Sequence, residues 1–227
     1  MNVSEAIASR RSVRAFLDRD VPEEILRRIL TLAARAPSGG NLQPWRIYVL
    51  TGEPLSALKA RMRARLAANP APDPREYEIY PENLWEPYRT QRYRVGEMMY
   101  AELGIPRENR EGRLARLRCN YDLFGAPVGL FCYIDRGMGP PQWSDLGMYL
   151  ENVMLLLCED GLASCPQECW STYNRVVAEV ISPPHELMLF CGMSIGYEDC
   201  AAPVNRWTTE RMNLEEFATF RGFLQHT

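Results

Sequence analysis

Asp145-Leu146-Gly147-Met148-Tyr149-Leu150-Glu151-Asn152-Val153-Met154-Leu155-Leu156-Leu157-Cys158-Glu159-Asp160 reads as a helix capped by Asp145 that keeps almost no polar side. A helix of this kind must be covered all round, either by its own domain or by a second subunit. Working outward, Ala126 to Ile134 and Leu187 to Ile195 are compact apolar runs that read as buried strands, and Trp45 to Thr51 is a third strand. Helical patterns occupy Asn2 to Ser9, the stretch from Pro22 with the stripe Ile25, Leu26, Ile29, Leu32 and Ala33, about Pro54 to Ala68, and Thr172 to Val180. Few strands among more helices, without regular alternation, give an α+β class and one domain over residues 1–227.

Two segments stand outside that core pattern. Pro70, Pro72, Pro74, Pro81 and Pro87 punctuate an aromatic and charged stretch, and Leu84 to Arg118 then reads as helical with Gly104-Ile105-Pro106 interrupting it. Together, residues 70–118 form an excursion suited to covering a pocket. The tail at 197–227 shows little core pattern until Leu214 to Phe223 and is expected to pack on something else.

A net charge of −3 over 227 residues gives no basic field for nucleic acid or an anionic membrane. No apolar stretch reaches membrane-spanning length and no secretory pattern is visible, so the expected location is cytoplasmic. The seven cysteines are expected to be buried free thiols. No Cys-x-x-Cys pair exists, and His185 and His226 lie far from the cysteines, so no metal site is expected.

Chemistry is concentrated near the N-terminus. Arg10-Arg11-Ser12-Val13-Arg14 places three guanidiniums and a hydroxyl within five residues. Planar forks and a neutral donor suit a phosphate monoester and a polarised heterocycle, although a charged run near a helix end is also an ordinary solvated face. Downstream, Ala36-Pro37-Ser38-Gly39-Gly40-Asn41-Leu42-Gln43-Pro44-Trp45 is rich in turn formers and feeds the first strand.

This pair of motifs resembles the N-terminal half of FMN-dependent nitroreductases. The resemblance continues in order through Asp145-Leu146-Gly147 with Asn152, Gly161-Leu162, Cys165-Pro166-Gln167-Glu168, Ile195-Gly196-Tyr197 and Ala202-Pro203-Val204-Asn205-Arg206. It implies a mixed sheet surrounded by helices, in an intertwined homodimer with FMN at the subunit interface and the tail embracing the partner. By that similarity Arg10, Arg11 and Ser12 would hold the FMN phosphate and ribityl chain, and Arg14 would face the N1/C2 carbonyl edge of the ring. Pro37, Ser38, Gly39 and Asn41 would come from the other subunit. Pro166, Gln167 and Glu168 would lie along the ring, with the Glu168 backbone N–H directed at N5. A basic residue usual on the phosphate would be Arg206 or Arg211; Thr208-Thr209 departs from the family's common arginine-threonine.

The implied activity is ping-pong two-electron transfer from NADH or NADPH through the flavin to a small nitroaromatic, the flavin N5 doing the chemistry and no side chain being catalytic. Cys165 has no histidine nearby to activate it and reads as a packing residue. Trp85, Tyr88, Arg89 and Tyr93 of the excursion are the expected substrate contacts, with Tyr80, Leu84 and Arg92 beside them. The alternatives are a related flavin reductase acting on halogenated aromatics, quinones or enones, and a non-catalytic flavin-binding protein.

Overall fold

The computed structural model describes residues 1–223; the last four residues of the expected tail lie outside the described region. In chain order the helices are α1 (Val3–Ser9), α2 (Glu23–Ala33), α3 (Gly52–Ala68), α4 (Tyr88–Glu102), α5 (Arg110–Arg118), α6 (Pro140–Glu159), α7 (Asn174–Ile181) and α8 (Leu214–Phe217). The strands are β1 (Arg46–Thr51), β2 (Val128–Asp135), β3 (Ala163–Gln167) and β4 (Leu187–Gly196).

The four strands form one sheet in the order β1-β2-β4-β3. The α+β class holds, but the expected mixed sheet needs correction, because all three strand pairings are antiparallel. The parallel element among the described residues is a single bridge between Ser12 and Ser164 at the outer edge of β3. β3 was not foreseen as a strand. Its five residues include Pro166, which a sheet tolerates only where no ladder hydrogen bond is needed, as on this edge.

Helix α6 starts earlier than expected. Pro140 occupies its first turn, where the missing N–H costs nothing, and the Gln142 side chain accepts from the Gly139 N–H at 3.2 Å. Asp145 is therefore not the cap. It is buried inside the helix and accepts from the Gly39 N–H at 3.3 and 3.4 Å, tying the Ser38 loop down. Leu146, Tyr149, Leu150, Val153, Met154 and Leu157 are buried in a core shared with α2 and one face of the sheet. Trp45 stacks on Tyr149 at 4.8 Å. Met148 stays exposed, so the chain's own domain covers most sides of α6 but not all.

The opposite face of the sheet packs against α3, α7 and Trp170. Trp170 is fully buried directly over Gly192, where an added Cβ would lie 2.5 Å from its ring. Glycine is required there to let the indole lie on the strand. Ahead of β2, Leu123 and Phe124 have φ values of 53° and 55°, a left-handed pair that bulky residues adopt only under surrounding constraint. Both side chains are buried, which supplies that constraint.

The start of the excursion is fastened to the body. Asp73 accepts from the Arg175 N–H at 3.1 Å, Tyr173 donates to the Pro70 carbonyl at 2.7 Å, and Tyr77 stacks on Phe190 at 5.8 Å. The cysteines are free, as expected, but only Cys132, Cys165 and Cys191 are buried; Cys119, Cys158 and Cys169 are half-buried, and Cys200 is exposed in a surface turn beyond β4.

Candidate functional site

Val13 is buried and its N–H donates to the Ser164 carbonyl at 3.0 Å, which lays the Arg10–Arg14 segment along the free edge of β3. Alternation does the rest: with Val13 turned inward, its neighbours Ser12 and Arg14 face away from the core. Asn205, in the short turn Pro203–Asn205, then clamps the segment. Its Oδ1 accepts from the Arg14 N–H at 2.8 Å, its Nδ2 donates to the Ala15 carbonyl at 2.9 Å, and its own carbonyl accepts from Arg11. Nothing in the sequence around Asn205 distinguishes a buried amide clamp from a turn residue.

These contacts bring the N-terminal cluster and the tail together. Arg10, Arg11, Ser12, Arg14 and Arg211 line one cavity of about 60 Å³, closed from the tail side by Trp207, Thr208 and Thr209. Arg206 is absent from those walls; it is exposed and donates to the Ala201 carbonyl at 2.9 Å. Arg10 meets Glu151 at 3.5 Å and Arg11 pairs with Glu198. Among the described residues neither Arg14 nor Arg211 has a carboxylate within ion-pair distance: Arg14 donates to the Ser12 carbonyl at 3.2 Å, and Arg211 to its neighbours' carbonyls and the Thr209 hydroxyl. The cavity wall is thus rich in donors and carries uncompensated positive charge.

Other predicted residues are placed nearby or elsewhere. Pro166 and Gln167 end β3 and Glu168 opens the short helical turn after it, all three outside the cavity wall. The Gln167 side chain is turned inward and saturated: its Nε2 donates to the Asn120 carbonyl at 2.7 Å, and its Oε1 accepts from the Ser194 hydroxyl at 2.6 Å. Only its backbone is left for a ligand. Cys165 is buried, and desolvation pushes its thiol up against the opposing influence of Arg14 and Arg116, which disfavours the thiolate a nucleophile needs. Pro37, Ser38, Gly39 and Asn41 are not in the cavity wall; they form an exposed or half-exposed turn on α6 in which Gly40, Asn41 and Gln43 have φ of 57°, 56° and 49°.

Glu168 has an open edge, yet surrounding protein atoms desolvate it and raise its carboxyl above the ordinary 4.5. An acid whose folded value is raised contributes stability that is present below the unfolded value and lost as pH rises through the folded one. In the ligand-free protein, Glu168→Gln should therefore remove part of the fall in melting temperature as pH rises above 4.5. Parallel wild-type and variant curves over that range would show that the carboxyl is not desolvated.

In the excursion, Trp85, Arg89 and Tyr93 line a cleft of about 770 Å³ with Glu82, Glu86 and Arg92. Tyr88 meets the Trp85 ring edge-on at 5.6 Å. Arg89 is committed to Glu86 at 2.7 Å, whereas Arg92 lies over the Tyr80 ring at 4.1 Å with no carboxylate partner among the described residues. On its other face α4 meets the tail, where Arg94 pairs with Glu210 at 2.5 Å.

Comparison with known proteins accords with this arrangement. The model described as Nitroreductase family matches residues 7–197. A 4-nitrobenzoate reductase of Pseudomonas putida is 37% identical over 218 residues, covering 96% of this chain and 94% of its own. Among solved structures, the FMN and NADPH-dependent nitroreductase NfnB from Sphigopyxis sp. strain HMH superposes with a TM-score of 0.95 at 50% identity, over 98% of this chain and 100% of that one. The FMN-dependent nitroreductase NfnB from Mycobacterium smegmatis, solved in complex with NADPH, gives 0.90 at 30% identity over 96% and 97%. A family model that matches residues 7–197, a relative alike over 96% of the chain and a fold that superposes over 98% of it have one reading: the chain belongs to the nitroreductase family.

Proposed function

We propose that the chain is an FMN-dependent NAD(P)H oxidoreductase that reduces nitroaromatic compounds in two-electron steps and works as a homodimer. The observation that carries this reading is the convergence of Arg10, Arg11, Ser12, Arg14 and Arg211 on one cavity. Its donor set fits FMN: guanidiniums and hydroxyls suit a phosphate, and Arg14, lacking a carboxylate partner, suits the electron-rich edge of a flavin ring. At about 60 Å³ the cavity is smaller than the roughly 300–1,000 Å³ typical of ligand sites, so further walls are needed.

Arg10, Arg11, Ser12 and Arg211 would hold the phosphate and ribityl chain, and Arg14 the pyrimidine edge. The backbone of Pro166, Gln167 and Glu168 would border the ring, with the Glu168 N–H as donor. Pro37, Ser38, Gly39 and Asn41 would complete the site in a second copy, their left-handed turn being already formed and tied to Asp145. Bound FMN supplies the two-electron chemistry, so no side chain needs to act as nucleophile or metal ligand. Among the described residues no cluster of metal-ligating side chains exists and no helix is long and apolar enough to cross a membrane.

A second subunit would also cover apolar groups that one protomer leaves open. Val3 and Ile7 of α1, Met148 of α6, and Phe217, Phe220 and Phe223 of the tail are all exposed. The excursion at 70–118 would act as the lid, with Trp85, Tyr88 and Tyr93 as aromatic walls against which a nitroarene stacks. Their exposure, 58%, 50% and 52%, leaves rings available to a ligand where burial on the domain would have removed them.

The test is a visible spectrum of purified protein, then anaerobic NADPH or NADH, then a nitroaromatic. Flavin bands that bleach with the nicotinamide and return with the nitro compound are expected. A protein that takes up no FMN would refute the reading, and bound flavin that never bleaches would mark a carrier.

A further inference from the structure

A second cation stands behind Arg14. Arg116, in the last turn of α5, donates to the Arg14 carbonyl at 3.2 Å and lies over the Phe124 ring, 5.0 Å from its centroid. Phe124 is held there by the left-handed Leu123-Phe124 pair, so the guanidinium has a fixed shelf on one side and the Arg14 backbone on another. Burial and the nearby Arg14 charge both disfavour the protonated form of Arg116, and among the described residues no carboxylate pairs with it. One turn earlier on the same helix, Arg113 shows the ordinary solution, a bidentate pair with Glu97 at 2.5 and 2.9 Å. A desolvated cation beside a second one, with no acid in reach, is unfavourable unless an anion completes the set.

Building on the FMN reading above, we propose that Arg116 is a positioning residue for the flavin: it fixes the backbone of Arg14 and, with it, holds positive charge where the reduced ring becomes anionic. Positive charge at that edge stabilises the reduced state over the oxidised one and so raises the reduction potential. Sequence reading had no means of selecting Arg116 from the arginine-rich run Arg110–Arg118, because the partner it lacks is visible only in three dimensions.

The measurement is the two-electron midpoint potential of the FMN-loaded protein, by anaerobic titration against reference dyes, for wild type, Arg116→Gln and Arg116→Lys. Arg116→Gln is expected to lose about tenfold in the preference for reduced over oxidised flavin, a shift of about 30 mV to more negative potential. Arg116→Lys should recover part of it, which a merely structural role would not produce. If the glutamine variant fails to fold, Arg116→Met, which keeps contact with the Phe124 ring, carries the same expectation. A folded, FMN-loaded Arg116→Gln or Arg116→Met with the wild-type potential overturns the proposal. So does an unchanged potential accompanied by a raised KM for 4-nitrobenzoate relative to nitrobenzene, since the anion served would then be the substrate's carboxylate. A wild-type protein that binds no FMN would instead overturn the underlying functional reading.

Discussion

Arg211→Ala is expected to weaken FMN binding roughly 10- to 150-fold, the equivalent of about 1.5–3 kcal/mol for a hydrogen bond to a charged group, while Arg206→Ala leaves it within about twofold. The two residues are five positions apart and equally plausible in sequence. Geometry separates them: Arg211 is in the cavity wall with Arg10, Arg11, Ser12 and Arg14, whereas Arg206 donates to the Ala201 carbonyl on the exposed side of the tail. Arg211 also has only backbone and threonine oxygens as partners, so its charge is available to a phosphate. Fluorescence titration of the apoprotein with FMN reads both effects, and equal losses for the two variants would remove Arg211 from the phosphate site.

Trp170→Ala is expected to destabilise the protein by about 3–5 kcal/mol in reversible urea unfolding, the range for removing a large buried aromatic. The indole is fully buried, meets Phe131 and Tyr121 edge-on at 5.3 and 5.6 Å, and fills the space that Gly192 leaves open on β4. Because Gly192 has no side chain to collapse into the hole, relaxation on that side is limited and the cavity persists. Trp170→Phe should cost less, since its indole Nε1 is buried without a partner and losing it forfeits no hydrogen bond. A loss below about 1 kcal/mol for the alanine variant would mean that the sheet face closes over the gap.

What could be read from the sequence was whatever depended on pattern along the chain. The apolar runs of β2 and β4, the stripe of α2 and the near-continuous apolarity of α6 were each found within a few residues of their observed places. β3 escaped because Ala163-Ser164-Cys165-Pro166-Gln167 is short, carries a proline and has no alternation; its strand character comes from pairing with β4. Asp145 was misread as a cap because an acid before an apolar run usually is one, and the Pro140-Pro141 start lay outside the apolar pattern. Leu32 was assigned to the buried stripe of α2 and is exposed at 45%.

The site divided in the same way. The arginine cluster was visible from residue types alone, because so many donors within five residues need an explanation. The Asn205 clamp, the inward turn of Gln167 and the choice of Arg211 over Arg206 depend on where distant segments meet, which no local pattern encodes.

The strand order also bears on how the molecule comes together in time. Pairing β3 with β4 brings Gln167 to Gly192, a short excursion of chain, whereas β2 with β4 must join Asp135 to Leu187 and β1 with β2 must join Thr51 to Val128. The Ser12–Ser164 bridge spans a longer separation than these three pairings, and the Phe16–Glu198 bridge and the Asn205 contacts that hold the same segment span more still. Closure entropy rises with loop length, and non-local pairings form late for that reason. The arginine segment is therefore expected to dock last, onto a β3 edge that is already in place, so the surface proposed to hold FMN would be the final one to form.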